Sequence, residues 1–337
     1  MKFGMFGGAR AVSGVADGYH EGYGAYINAV IEAEQLGYYS NFLVEHHFSG
    51  AGQVSASLNL LSFLAAKTSR IRLGTAVVVL PWHNPVLIAE QAATLDLLSG
   101  GRFDFGVGKG YRPNEFEGFR IPIEEATERF EEAMTVIRKA WTTEGRFSHQ
   151  GKHWQFKNIL IEPATAQKPY PPLWLAAGRP ESLRYAAREG YNLFLGQFQT
   201  FDVILERLEI FKQALRLTER DDNPLGVAVA RGLFIIRNDE EREAAIAARI
   251  KTQGVMNAFA TTASQTRTSS MVSDSDLRKA AVEGTLIGTP EEIIERLKWL
   301  EARGVDYVLL SSGWPDGLRI FAEEVMPAFL NQPPMKE

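Results

Sequence analysis

The segment Ile71–Pro81, reading Ile-Arg-Leu-Gly-Thr-Ala-Val-Val-Val-Leu-Pro, constrains the fold more than any other stretch. It is apolar and β-branched, follows Lys67 and Arg70, and ends at a proline. A continuous run of this kind reads as a strand buried on both faces, which is how parallel strands are placed. A helical pattern follows over Asn84–Leu98, with Val86, Ala89, Ala93 and Leu97 on one side. A second strand pattern, Arg102–Gly108, comes next. Strand, helix and strand within about thirty residues make one βαβ unit. Upstream, Asn41–Phe48 reads as another strand and ends in two histidines.

The alternation continues along the chain. Further strands are predicted at Lys2–Gly8, Leu173–Ala177, Tyr191–Gly196, Leu225–Ile236 and Val305–Ser311, and the one ending in the two histidines is bounded at Tyr38–His47. Helices are predicted at Tyr26–Leu36, Leu58–Lys67, Ile123–Trp141, Glu181–Glu189, Val203–Leu217, Asp239–Lys251 and Leu318–Leu330, and another opens at Thr289-Pro290-Glu291-Glu292. The last carries an N-cap, an N1 proline and an acidic first turn. Phe147–Ile161 reads as a surface hairpin, and residues 254–284 break the rhythm with a polar, weakly periodic insertion.

Eight strands each followed by a helix predict an α/β fold, a (β/α)₈ TIM barrel with insertions, formed as one domain over 1–337. The rival is an open doubly wound sheet, which carries a Gly-rich fingerprint after its first strand. Gly7-Gly8 does not supply G-x-G-x-x-G.

Composition narrows the function classes. The 337 residues carry a net charge of −5, which disfavours a nucleic-acid partner. No cysteine is present, so disulfides and thiolate metal sites are excluded. No apolar run approaches the ~20 residues of a membrane span. The first ten residues lack a signal-peptide core, so a cytoplasmic location is expected.

Barrel active sites sit at the C-terminal strand ends. Glu45-His46-His47-Phe48 lies at one. Neighbours in a regular strand point to opposite faces, so His46 and His47 are not expected to hold one metal together. No H-E-x-x-H occurs, and both observations weigh against a metal-dependent hydrolase. His20, His149 and His153 read as surface or packing residues, and His83 stays open. Lys109 follows the fourth strand, Arg129 lies on the next helix, and Ser182 is near the start of the helix after strand five. Together such groups can hold a phosphate. Singly, Lys109 is a solvated charge, Arg129 a partner of Glu125 or Glu132, and Ser182 a cap.

Glu45-His46-His47-Phe48, Gly74–Pro81 with Asn84-Pro85 and Ala89-Glu90, Leu95–Phe103, Gly106–Gly110 and Gly288–Glu292 together resemble the bacterial luciferase-like flavin-dependent monooxygenases. The resemblance covers most of the chain and is most specific over residues 1–130. It implies a (β/α)₈ barrel that binds reduced FMN, delivered by a separate flavin reductase, and uses O₂ to oxygenate a small organic substrate. By position, His46 resembles the family's catalytic histidine, and the role of His47 stays open. Lys109, Arg129 and Ser182 fall where the family binds the FMN phosphate. Luciferase itself has arginine where this chain has Lys109, and lysine gives a cation without a bidentate fork. A cis peptide at Ala76-Val77, a mobile active-site lid at 254–284 and a homodimer are implied by the same resemblance. Two rival functions stand beside this one. The first is hydride transfer with a deazaflavin cofactor in the same superfamily; the second is a non-catalytic flavin-binding protein.

Overall fold

Eight parallel strands close into a barrel in sequence order. They are β1 (Lys2–Gly7), β2 (Ser40–Leu43), β3 (Arg72–Thr75), β4 (Phe103–Gly108), β5 (Leu173–Ala176), β6 (Asn192–Leu195), β7 (Val227–Ile235) and β8 (Tyr307–Ser312). The ring runs from β1 through β8 and returns to β1. The principal helices are α1 (Gly18–Gln35), α2 (Ser57–Lys67), α3 (Pro85–Leu98), α4 (Ala126–Thr142), α5 (Pro180–Glu189), α6 (Phe201–Arg216), α7 (Asp239–Ala260) and α8 (Pro290–Glu301). The computed structural model describes residues 1–12, 16–50, 53–218, 226–260, 272–314 and 316–330. Among the described residues no helix is long and apolar enough to cross a membrane.

The chain divides into two compact units. One comprises Gly7–Ile31 and Phe42–Leu175. Its apolar strands pack face to face with their helices, as the βαβ pattern requires. A Cβ on Gly74 of β3 would lie 2.2 Å from the Phe42 ring, so only glycine lets these strands approach so closely. Beside it, Arg72 Nε donates to Asp104 Oδ2 at 2.6 Å, and Trp174 Nε1 donates to Asp104 Oδ1 at 3.0 Å. The helix α3 buries Ala89 and Ala93 as expected but departs from the expected face at its last turn. Leu97 is 47% exposed, and the fully buried Asp96 takes the inward position instead. Two hydrogen bonds explain this. Gln167 donates to the Asp96 carboxylate from its backbone at 2.8 Å and from its side chain at 2.7 Å. A buried carboxylate with such partners is satisfied where an unpartnered one would not be.

The other unit comprises Met1–Phe6, Glu32–Asn41 and Ala176–Glu337. Phe3 packs edge-on against Phe321 and Phe329 of the closing helical turns. The Tyr38 hydroxyl donates to Leu318 O at 2.7 Å. Thr289 and Glu292 form a full capping box on α8, satisfying two donors that a helix start leaves orphaned.

Several boundaries differ from the sequence reading. The second strand stops at Leu43, so residues 44–47 do not follow strand alternation. The third is divided: Val78–Val79 pairs separately with β4, and the Ala76-Val77 peptide between the two pieces is cis. The stretch from Gly110 to Pro122 holds a short helix, Pro113–Gly118, opened by a proline at N1. A three-residue strand, Leu286–Gly288, pairs with β7 and is too short to show a period. The helix begun at Asp239 runs to Ala260, past Lys251, so residues 254–260 of the expected insertion are helical. Residues 261–271 of that insertion, and Leu225 of the expected seventh strand, lie outside the described residues.

Candidate active site

Two buried carboxylates organise the segment that follows β2. Glu45 is 3% exposed, and its Oε1 accepts three hydrogen bonds. They come from His47 Nε2 at 3.1 Å, His83 Nε2 at 2.9 Å and Trp82 Nε1 at 3.1 Å. Burial acts to raise the Glu45 pKa, but the donors from His47 and His83, the His83 charge and Trp82 outweigh it and hold the carboxyl below its ordinary range.

Glu115, 1% exposed, serves the other histidine. Its Oε1 accepts from His46 Nδ1 at 3.0 Å and from the His47 backbone N–H at 2.9 Å. Arg112, fully buried, sits 3.8 Å from the same oxygen and donates to Gln53 Oε1 at 3.2 Å. A carboxylate oxygen only accepts, so His46 Nδ1 carries the hydrogen and Nε2 is the nitrogen left to exchange a proton. Burial lowers the His46 pKa, the Arg112 charge adds to that, and Glu115 and Glu45 oppose it; the net shift is downward from 6.5. The imidazole is therefore neutral at neutral pH, with one defined tautomer.

His46 and His47 thus engage separate carboxylates. Among the described residues no group of three or more histidine, aspartate, glutamate or cysteine side chains is arranged to hold a metal ion. Aromatic rings surround the cluster: His47 lies edge-on to Phe119 at 4.8 Å, and Trp82 stacks on Phe119 at 5.1 Å. Such a shell keeps water from the two carboxylates and makes their hydrogen bonds stronger.

Of the expected phosphate ligands, Lys109 directly follows β4, Arg129 lies on α4 and Ser182 lies on α5. Lys109 Nζ lies 3.4 Å from Thr127 Oγ1, 3.9 Å from Glu131 and 5.7 Å from the centre of the Phe130 ring. Arg129 Nε donates to Glu125 Oε2 at 2.7 Å, and its guanidinium lies over the Trp154 ring at 5.9 Å. At ~100° per residue, Thr127 and Glu131 share one side of α4, and Arg129 leaves from nearly the opposite side. Ser182, in the other unit, is the half-buried third residue of α5. Gly108 and Gly110 flank Lys109. A Cβ on Gly108 would lie 2.5 Å from Val77 Cγ2; one on Gly110, whose φ is +77°, would lie 2.7 Å from Val79 Cγ1. Val77, Val79 and Phe116 occupy the space that side chains at these two positions would need, so glycine here serves the close packing of β4 against the divided third strand.

Two histidines outside this cluster have structural partners, and His20 is exposed. His149 Nε2 lies 3.1 Å from Glu132, and His153 Nε2 lies 3.3 Å from Glu128, tying the hairpin to α4. Glu45, Arg112 and Glu115 were not singled out as site residues by the sequence. The only available signal was the run Arg112-Pro113-Asn114-Glu115, whose Pro at N1 marks a helix start.

Comparisons with known proteins agree with this architecture. An uncharacterized protein, y4vJ, of Sinorhizobium fredii is 36% identical over 182 residues, which is 53% of this chain and 52% of that one. The chain thus matches about half the length of that relative. The oxygenase component of a flavin-dependent trigonelline monooxygenase from Acinetobacter baylyi is 29% identical over 322 residues, covering 88% of this chain and 87% of its own. In three dimensions, the monooxygenase RslO1 of Streptomyces bottropensis superposes with a TM-score of 0.83 at 24% identity, over 97% of this chain and 99% of that one, which speaks for the shared fold. The family model described as luciferase-like monooxygenase matches residues 1–307. With nine-tenths of its length inside that model, this chain belongs to the luciferase-like monooxygenases.

Proposed function

We propose that the chain is the oxygenase component of a two-component system, one that takes reduced FMN from a separate reductase and uses O₂ to oxygenate a small organic substrate. The observation that carries this reading is the His46–Glu115 pair. It is a buried, neutral imidazole of fixed tautomer at the end of a barrel strand, within a family whose members are monooxygenases. General acid–base work at neutral pH needs such a group.

The residues present fit FMN. Lys109 and Arg129 offer two cations suited to a phosphate. When bound, reduced flavin supplies the electrons that activate oxygen. The chain's own tasks are then plain. Lys109 and Arg129 anchor the phosphate. The Ala76-Val77 segment, packed on Gly108, forms a wall beside Lys109. His46 gives or takes a proton at Nε2 while Glu115 holds its ring. Aromatic side chains limit the access of water, which would divert the oxidant.

The test is anaerobic titration of the protein with reduced FMN, followed by admission of air. The protein is expected to bind reduced FMN and to change the rate at which oxidised-flavin absorbance returns. Absent binding, or reoxidation identical to that of free flavin, would overturn the reading. A parallel titration with a reduced deazaflavin separates oxygenation from hydride transfer, and a generic reductase with a substrate panel then separates an enzyme from a flavin carrier.

A further inference from the structure

Arg231 and Arg249 are buried, at 0% and 5% exposure, and neither forms an ion pair with a carboxylate among the described residues. Arg231 Nη1 donates to Gly196 O at 2.9 Å and Ala230 O at 2.8 Å, while its Nε and Nη2 find no partner. Arg249 Nε donates to Thr285 Oγ1 at 3.1 Å, Nη1 donates to Gln197 Oε1 at 3.3 Å, and Nη2 donates to Gln197 O. All of these partners are neutral. Burying two guanidinium groups with no counter-charge is unfavourable unless something supplies the anion.

Strand register shows which of the two faces the barrel interior. Phe3, level with Val308, packs against the closing helical turns and so faces outward. A Cβ on Gly4 would instead meet Leu309 and Ser40 on the inner side. Arg231 is level with Leu310, two residues on from Val308, and therefore points outward, over the Phe201 ring at the start of α6. Gly232 points inward, and a Cβ there would lie 3.1 Å from Arg249 Nη1 and 3.1 Å from Thr285 Cγ2. Arg249 thus lies over the inner face of β7, in the half toward its C-terminal end, where barrel enzymes hold their substrates. Neighbouring parts of α7 agree: Ala245 and Ala248 pack on Phe234, another inward position of β7.

We propose that Arg249 docks the acidic group, a carboxylate or sulfonate, of the organic substrate. This rests on the oxygenase reading for the word substrate. Phe198, Gln253, Leu277, Ala280 and Ala281 close around the guanidinium, and an acid reaches it by parting them. One cation among mainly apolar walls suits a single charge on an apolar body. A phosphate dianion would call for a second cation on the same face, and Arg231 leaves from the other. The acid enters by displacing the Gln197 amide oxygen, whose 3.3 Å contact is the longest of the three. Arg231 strengthens the attraction from behind. Burial, together with the charges of Arg249 and Arg207, brings its pKa down to about 9, and burial brings that of Arg249 to about 10, so both remain cations at neutral pH.

The test is calorimetric titration of the full chain with benzoate, benzenesulfonate, benzamide and inorganic phosphate, and with FMN and riboflavin in parallel. One of the two aromatic acids should bind at least tenfold tighter than benzamide, and tighter than phosphate. Arg249→Gln should abolish that preference and leave the FMN-to-riboflavin affinity ratio unchanged; Arg249→Lys should restore part of the preference. The proposal is overturned by acids that bind no better than benzamide, by phosphate binding more tightly than both acids, or by a preference that survives Arg249→Gln. It is also overturned if Arg249→Gln weakens FMN selectively, since the arginine would then hold the cofactor's phosphate. The comparison of benzoate with benzamide needs no variant and decides the matter even if Arg249→Gln fails to fold. Wild type that binds reduced FMN but shows no preference for acids removes this inference alone. Acid binding without flavin binding removes the oxygenase reading instead.

Discussion

Glu115 Oε1 lies 3.0 Å from His46 Nδ1, joining residues 69 positions apart through a single buried hydrogen bond. The carboxylate fixes the imidazole's tautomer and angle. Replacing Glu115 with Leu should slow flavin reoxidation and product formation about tenfold or more, the scale of a misaligned acid–base group. Affinity for reduced FMN should change little. His46→Ala should give the same pattern, and the double variant should be no worse than His46→Ala alone, because Glu115 acts through the ring. Additive losses in stopped-flow rates would separate the two residues.

Acidification should destabilise the fold in two stages. The folded His46 ring resists protonation below its ordinary 6.5, so the unfolded chain binds more protons in that window. Its contribution is complete above 6.5 and is lost as pH falls toward the folded pKa. Glu45, held below 4.5, acts lower: its contribution is present above 4.5 and is lost as pH falls below it. Melting temperatures measured from about pH 8 to about pH 2 should show both declines. His46→Gln should flatten the first and spare the second; an unchanged first decline assigns it to another group.

Glu45→Ala removes the acceptor of three buried donors at once. The loss should be roughly 3–5 kcal/mol in denaturant unfolding, the range for breaking a buried charged network from one side. Glu45→Gln keeps an acceptor oxygen and should cost less than half as much. Equal losses for the two would mean that the charge matters and the hydrogen bonds do not.

Arg129→Ala should weaken FMN by ~1.5–3 kcal/mol and leave riboflavin nearly unaffected, because riboflavin lacks the phosphate. Lys109→Ala should do the same with a smaller effect, since lysine offers no bidentate fork. Arg129 is engaged by Glu125, a part-exposed pair of small worth. Glu125→Gln should therefore tighten FMN slightly. Fluorescence titration of both flavins reads all three variants, and parallel losses for FMN and riboflavin would remove Arg129 from the phosphate site.

Local chemistry made much of the fold legible. The β-branched pair Val78–Val79 and the helix start at Thr289-Pro290 each act within a few residues, and each appears where the sequence puts it. What escaped depends on distant partners. Asp96 turns inward because Gln167, 71 positions away, satisfies it, and no helical period reports that. Glu115 is invisible as a site residue until Pro113–Gly118 folds beneath the two histidines. Arg231 sits in a strand that reads as apolar, because its partners are carbonyls rather than acids. Of the expected site residues, His46 gains a specific geometry. Lys109, after β4, reaches one side of α4, and Arg129 leaves from the other.

Three donors on one Glu45 oxygen make the end of β2 and the Trp82-His83 turn a single mechanical part. Neither segment can be re-engineered alone. A library that varies one of them should be built with the other frozen, or with both exchanged together as a cassette from a relative.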